Sequence, residues 1–249
     1  MKRSSGRLSA LDLGLTDRVA LVTAASRGLG RATAEALARE GARLVVVARP
    51  SNDLDTLGAA LGERCRVVAG DLLDPALPQR AVAVALESFG RLDVLVANTP
   101  GPPAMEPLAA TDDDFARAFE TVFYPAVRLI RAAVPAMRER GWGRIVIVSS
   151  TSIKAPKPFL SLSATARSAL WAWAKSLSGE LAEHGVMLNV VCPGPHRTSR
   201  ALELGVGSGQ RIGIPDDFAR VLATLCGEPA AFIAGTSLVI DGAELSAIF

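Results

Sequence analysis

The chain has a single tyrosine, Tyr124, and aromatics make up only 5% of its 249 residues. Its core must therefore be aliphatic. A hydrophobic fraction of 49%, rich in Ala, Val and Leu, suits strands covered on both faces by helices. Cysteine is scarce too: Cys65, Cys192 and Cys226 lie far apart with no CxxC or Cys/His pattern, which leaves no basis for a zinc site or a disulfide framework. Reduced, structural thiols in a cytoplasmic protein are expected. No apolar run approaches the length of a membrane span. The basic start is followed by residues 8–15, which contain Asp12 and are too polar for the core of a signal sequence. A formal net charge of +2 gives no electrostatic reason for a nucleic-acid partner. No Pro/Gly/Ser-rich linker divides the chain, so one domain over residues 15–249 is expected behind a loose extension, 1–14.

What is present is organised around residues 19–41. Val19, Ala20, Leu21 and Val22 make a short buried strand, Ala32, Ala36 and Leu37 recur at helical spacing, and Gly41 stops the helix. Between strand and helix lie Thr23, Ser26, Arg27, Gly28, Leu29 and Gly30. Turn amides and a helix N-terminus there converge on one place, where aligned dipoles hold a diphosphate. Gly28 and Gly30 let the backbone approach it. Taken alone, two glycines after a strand equally describe an ordinary tight turn. The following alternation of β-branched runs with Ala/Leu-rich helical segments decides it, because parallel strands joined by right-handed crossovers read this way.

The second strand, 44–48, ends on Arg49 rather than on an acid. A carboxylate at that strand end holds ribose hydroxyls, whereas a cation accommodates a 2′-phosphate, so Arg49 with Arg27 favours NADP(H) over NAD(H). The competing reading is two solvated arginines. The third strand closes on Asp71 and Leu72 and the fourth, 92–98, on Asn98, at the carboxyl ends where open α/β sheets place ligands. Asp71 is alternatively a helix cap. A long helical region over 115–140 holds Tyr124, with Pro125 and Pro135 expected to bend or interrupt it. The fifth strand, 143–148, ends on Ser149 and Ser150. A helix over 160–183 follows, and the sixth strand, 186–191, is ended by Pro193 and Gly194. A short polar segment, 198–213, precedes a last helix from Pro215, and 237–242 gives a final strand. The expected architecture is α/β: a single doubly wound domain on a seven-stranded parallel sheet.

Over residues 15–242 these landmarks resemble the short-chain dehydrogenase/reductase family. Thr23 to Gly30 resembles its TGxxxGxG turn, Asp71 its adenine-binding acid, and Ala97-Asn98-Thr99-Pro100 stands where NNAG is usual. Pro193-Gly194 followed by Thr198 resembles the PG…T element beside the nicotinamide. The resemblance implies a Rossmann-type NAD(P)-binding oxidoreductase acting on a small-molecule or carrier-bound substrate. It also implies a homodimer or homotetramer built on the two long helices and the C-terminal strand, to which Trp171, Trp173, Leu245, Ile248 and Phe249 would contribute apolar surface.

The departures are chemical. Ala24 replaces the first glycine of the turn. In the family, catalysis rests on Ser, Tyr and Lys, the last two as YxxxK, with a supporting Asn. Ser150 matches the serine, but the tyrosine position is Ser163, the lysine position Arg167 and the asparagine position Val122. A serine hydroxyl is too weak an acid to replace tyrosine as proton donor, and an arginine holds anions or hydroxyls without relaying protons. Ser161, Lys154, Lys157 and His196 are the other polar groups expected nearby; His196 is the one suited to acid/base work, or else an exposed loop residue. Residues 203–210 form a short, glycine-rich lid expected to close poorly. The reading is an atypical NADP(H)-dependent oxidoreductase for a carbonyl/alcohol pair or a related C=N or activated C=C group. A nucleotide-binding protein without redox turnover, and a non-redox enzyme on the same fold, stay open.

Overall fold

A computed structural model describes residues 11–205 and 211–246. Its centre is a seven-stranded sheet in the order β3-β2-β1-β4-β5-β6-β7. The strands are β1 Val19–Thr23, β2 Arg43–Ala48, β3 Cys65–Ala69, β4 Val94–Asn98, β5 Gly143–Val148, β6 Val186–Pro193 and β7 Ser237–Ile240. Every neighbouring pair is parallel. All five residues of β1 and all six of β5 are buried, as strands covered on both faces require.

Residue alternation sorts the core into two layers. Ala20 and Val22 face one layer with Leu37 and Phe218, while Val19 and Leu21 face the other with Leu129, Ile130 and Leu170. The first layer is closed by α1 (Gly28–Arg39), α2 (Asn52–Leu61) and α8 (Pro215–Cys226), the second by α3 (Leu77–Phe89), α5 (Tyr124–Arg140) and α6 (Ser161–Glu183). Leu13 and Leu15 are both buried in the first layer. Two shorter helices, α4 (Asp112–Ala118) and α7 (Ser199–Glu203), lie on the loops at the carboxyl end. The chain leaves β1 toward β2 and returns to β4 on the other side, so the crevice between the carboxyl ends of β1 and β4 is the switch point at which such sheets bind ligands.

The helical detail departs from the sequence reading in three places. α2 occupies the crossover after β2, capped by Ser51, whose Oγ accepts from Leu54 N at 3.3 Å. The long region over 115–140 is two helices: α4 opens with a Thr111/Asp114 capping box, and a π turn, Phe119–Phe123, joins it to α5. Pro125 is the second residue of α5, just after the π turn, and α5 runs on through Pro135. The polar segment after Thr198 contains α7, capped when Thr198 Oγ1 accepts from Ala201 N at 3.2 Å. The remainder of the expected lid, 206–210, lies outside the described residues, as do residues 1–10 of the extension and the terminal Ile248 and Phe249.

The turn after β1 is held in a strained backbone. Ala24 has φ +47°, a left-handed conformation that costs an L-residue roughly 1–2 kcal/mol. Its carbonyl is thereby aimed at Gly30, where an added Cβ would lie 2.2 Å from Ala24 O and 2.9 Å from Asn98 Nδ2. Gly30 is thus required by contact, while Ala24 stands where glycine would sit without strain. Ala24→Gly is expected to raise the urea midpoint at unchanged m, by an amount equivalent to roughly 0.5–1 kcal/mol. A lowered midpoint would show that the turn is not strained there.

Candidate active site

The β1 side of the crevice is built to receive phosphates. Thr23 is fully buried and stitches the two strand ends together, donating to Asn98 O at 2.7 Å and accepting from Asn98 N at 3.0 Å. Thr23 therefore shapes the cradle from beneath. α1 begins at Gly28 (φ +60°) behind Arg27, which contributes no side-chain cap, and its first turn holds no acid. The first amides of this 12-residue helix are left for a ligand, unlike those of α2 and α4. Ser26 and Leu29 are half-buried beside it, and Arg27 and Arg49 are exposed. Asp71 is exposed and accepts from Leu73 N at 3.0 Å over the buried Leu72. It does not cap the next helix: Asp74 reaches Ala76 N instead. Uncapped helix amides at a close-packed glycine turn, with two exposed cations beside them, fit a phosphorylated dinucleotide.

On the β5 side, Arg167 is the organising residue. Only 7% exposed, it donates from Nε to Ser163 Oγ (3.2 Å), from Nη1 to Val148 O (2.8 Å) and from Nη2 to Thr99 O (3.3 Å). One guanidinium thus joins α6 to the ends of β5 and β4. Among the described residues no carboxylate lies within ion-pair distance of it. Burial pushes its pKa down to about 10, with the nearby Arg200 charge adding to the fall, and the group remains a cation at neutral pH. Because Ser163 Oγ accepts from this cation, its own O–H is polarised and left to donate. Ser150 is placed similarly, its Oγ accepting from Ser152 N at 3.1 Å.

Around these groups lie polar atoms without partners. Four described buried side-chain atoms lack one, and two of them, Ser149 Oγ and Ser152 Oγ, flank Ser150. A third, Glu244 Oε2, would be 3.1 Å from a Cβ on Gly194. Buried polar atoms rarely stay unpaired, so their gathering at the ends of β5 and β6 marks a place for water or a polar ligand. Gly194 N donates to Ile240 O at 2.9 Å after Pro193, and the Asp241 backbone leaves no room for a side chain there.

The other candidates separate. Val122 is fully buried in the π turn with Ala118, Leu162 and Ala166, so an apolar plug stands where a supporting amide would be. Tyr124 is exposed, its ring 5.4 Å from that of Phe123 and 5.5 Å from the Arg128 guanidinium. His196 is not the exposed loop residue considered above: it is 6% exposed, edge-on to Phe218, with Nδ1 2.9 Å from Gly194 O. The ring fills space under the loop beside Gly213. Ser161 donates to Met105 O at 2.7 Å and tethers one wall, and Lys157 pairs with Glu244. Trp171 and Trp173 are partly buried against the second core layer. Cys192 lies under Ser150; burial pushes its thiol up to about 11, against the Lys154 and Arg167 charges, so it is a protonated, inert group. Cys65 and Cys226 are likewise free and buried. Thr198 turns its methyl onto Gly28. The carbonyl of Thr99 and the side chain of Arg200 belong to this site and carried no signal in the sequence, since a backbone acceptor has no residue code and an arginine after a threonine reads as surface.

Comparison with known proteins identifies the family and the fold. A family model described as short chain dehydrogenase matches residues 18–205. The chain is 34% identical over 247 residues to dehydrogenase/reductase SDR family member 4 of Bos taurus, covering 93% of this chain and 88% of that protein. It is similar to L-sorbose reductase from Gluconobacter frateurii, solved with NADPH and L-sorbose, at a TM-score of 0.88 and 29% identity, covering 96% of this chain and all (100%) of that one. A 3-ketoacyl-(acyl-carrier-protein) reductase from Brucella melitensis, solved with NADH, gives a TM-score of 0.85 at 28% identity, covering 92% and 99%. No described helix is long and apolar enough to cross a membrane.

The three bonds of Arg167 make a direct test of the site's construction. Arg167→Lys keeps the charge but loses the fork, and is expected to destabilise the fold by roughly 1–3 kcal/mol in urea unfolding. An unchanged midpoint would mean that the guanidinium does not tie β4, β5 and α6 together.

Proposed function

The chain belongs to the short-chain dehydrogenase/reductase family, and from that premise we propose that it is an NADP(H)-dependent oxidoreductase that works without a protonating side chain. The observation that carries this reading is the Ser163–Arg167 pair: a hydroxyl held against a buried cation, next to the serine at the end of β5. Gly28, Gly30 and the α1 amides would hold the diphosphate, Arg49 and Arg27 the 2′-phosphate, Asp71, Leu72 and Asn98 the adenosine half, and Pro193, Gly194 and Thr198 the nicotinamide end. When bound, the nicotinamide supplies or accepts the hydride. One structural neighbour holds NADPH and another NADH, so the preference for NADP(H) rests on the cations at the end of β2 and in the turn.

Ser150 and Ser163 donate hydrogen bonds to the substrate oxygen as negative charge grows on it. Arg167 polarises Ser163 and keeps its proton, and water delivers the proton to the product. Such fixed donors act electrostatically and need no reorganisation during the reaction. The apolar plug of Val122, Leu162 and Ala166 closes one side of the site to water. Without a general acid, turnover forgoes a factor of roughly 10²–10⁴. The substrate is a carbonyl compound or its alcohol, or a related C=N or activated C=C compound; ketoses and 3-oxoacyl thioesters head the panel to test, from the neighbours' substrates. A second reading, nucleotide binding without turnover, is favoured by one feature only: all the bonds of Arg167 are made within the protein.

Two outcomes are expected. Ser150→Ala lowers kcat/KM by roughly 10²–10³ with NADPH affinity unchanged. The wild-type kcat is flat from about pH 6 to about pH 9, because Arg167 stays protonated below about 10 and the hydroxyls do not titrate. A bell-shaped profile in that range would put a titrating acid in the site. Tight NADPH binding with no turnover across the panel would favour the second reading.

A further inference from the structure

The crevice between the glycine turn and the loop after β4 is bridged from one bank to the other by α7. Its cap, Thr198, rests on the near bank, with its Cγ2 3.4 Å from where a Gly28 Cβ would stand. Two residues on, Arg200 reaches the far bank: Nη2 donates to Pro102 O at 2.7 Å and lies 3.5 Å from a Cβ position on Gly101. Arg167 grips the same loop from its other side through Thr99 O. Two guanidiniums therefore hold residues 99–102, and among the described residues neither pairs with a buried carboxylate. The ion pair of Arg200 among the described residues is with the exposed Glu203, at 3.4 Å, and its charge is felt at Arg167. Like charges so placed favour an anion beside them. The uncapped amides of α1 begin at Gly28, directly under Thr198.

We propose that Arg200 is a cofactor-binding residue, a cation carried on α7 that pairs with the diphosphate lying across the α1 amides. The proposal rests on the NADP(H) reading above and is independent of whether redox turnover occurs. The diphosphate is common to both nicotinamide cofactors, so Arg200 acts on both alike, whereas Arg49 acts at the 2′-phosphate alone. A charge-assisted contact of this kind slows release of the bound nucleotide.

The test is stopped-flow fluorescence binding of NADPH and of NADH to the full chain, comparing wild type with Arg200→Gln, Arg200→Lys and Arg49→Gln. Arg200→Gln is expected to raise both dissociation constants and both off-rates about tenfold, with Arg200→Lys intermediate. Arg49→Gln weakens NADPH alone. In wild type, NADPH and inorganic pyrophosphate each slow tryptic cleavage after Arg200, a readout that needs no variant. Unchanged off-rates in a folded Arg200→Gln protein, a faster on-rate alone, or cleavage that neither anion slows would each overturn the assignment. Failure of the wild type to bind either nucleotide would instead overturn the cofactor reading, and this proposal with it.

Discussion

Arg167 carries a positive charge into the interior and, among the described residues, meets no carboxylate there. Burying an ion this way is costly unless its donors are used, and the fork uses one on each of three elements: α6, β5 and β4. The planar guanidinium suits this because its donors diverge at fixed angles, whereas an ammonium on a flexible stem would leave one carbonyl unpaired. Everything at the carboxyl end depends on that junction. It sets the position of Val148 before Ser149 and Ser150, of Thr99 after Asn98, and of Ser163 on the helix. The same junction makes the residue a poor proton relay, since a cation that holds architecture must keep its protons.

The opposite bank is governed by a close contact instead of a charge. Gly30 passes so near the Ala24 carbonyl that no side chain fits, and Thr23 locks the two strand ends through paired bonds with Asn98. Ala24 bears the conformational strain of that turn. The crevice is thus rigid on both sides but for different reasons: steric exclusion beside β1, and a buried cation between β4 and β5.

Much of this was legible in the residues. Strand positions followed from runs such as Leu44 to Ala48 and Arg144 to Val148, because strands buried on both faces need continuous apolar sequence and helices in between. The glycine turn was legible because Gly28 and Gly30 have a steric reason to be there. What was hidden depends on distance across the fold. Pro125 signalled an interruption, but its form, a π turn that buries Val122 against Leu162, depends on the packing of α4 and α5 over α6. His196 looked like loop surface because nothing local tells that Phe218 and Gly213 close over it. α7 was hidden because five residues carry too little periodicity to signal a helix, even with Thr198 as its cap.

The distribution of charge shows how a chain of net charge +2 would hold the proposed phosphorylated nucleotide. Net charge describes the far field, whereas binding depends on which cations remain unneutralised along one groove. Several arginines are committed elsewhere: Arg18 and Arg91 to Asp93, Arg43 and Arg64 to Asp17, Arg39 to Asp216. Arg27 and Arg49 at the adenosine end enter no ion pair among the described residues, nor does Arg167 at the catalytic end, and Arg200 between them has only an exposed partner 3.4 Å away. These four follow the path from the end of β2, past α1, to the end of β5. The chemistry follows from the same arrangement. On the proposed reading, a site with a hydroxyl and a buried cation where the family resemblance implies tyrosine and lysine would stabilise charge at every stage of hydride transfer without timing the arrival of a proton. Its rate would then be set by how basic the oxygen becomes before water reaches it, and substrates whose developing negative charge is delocalised would lose least.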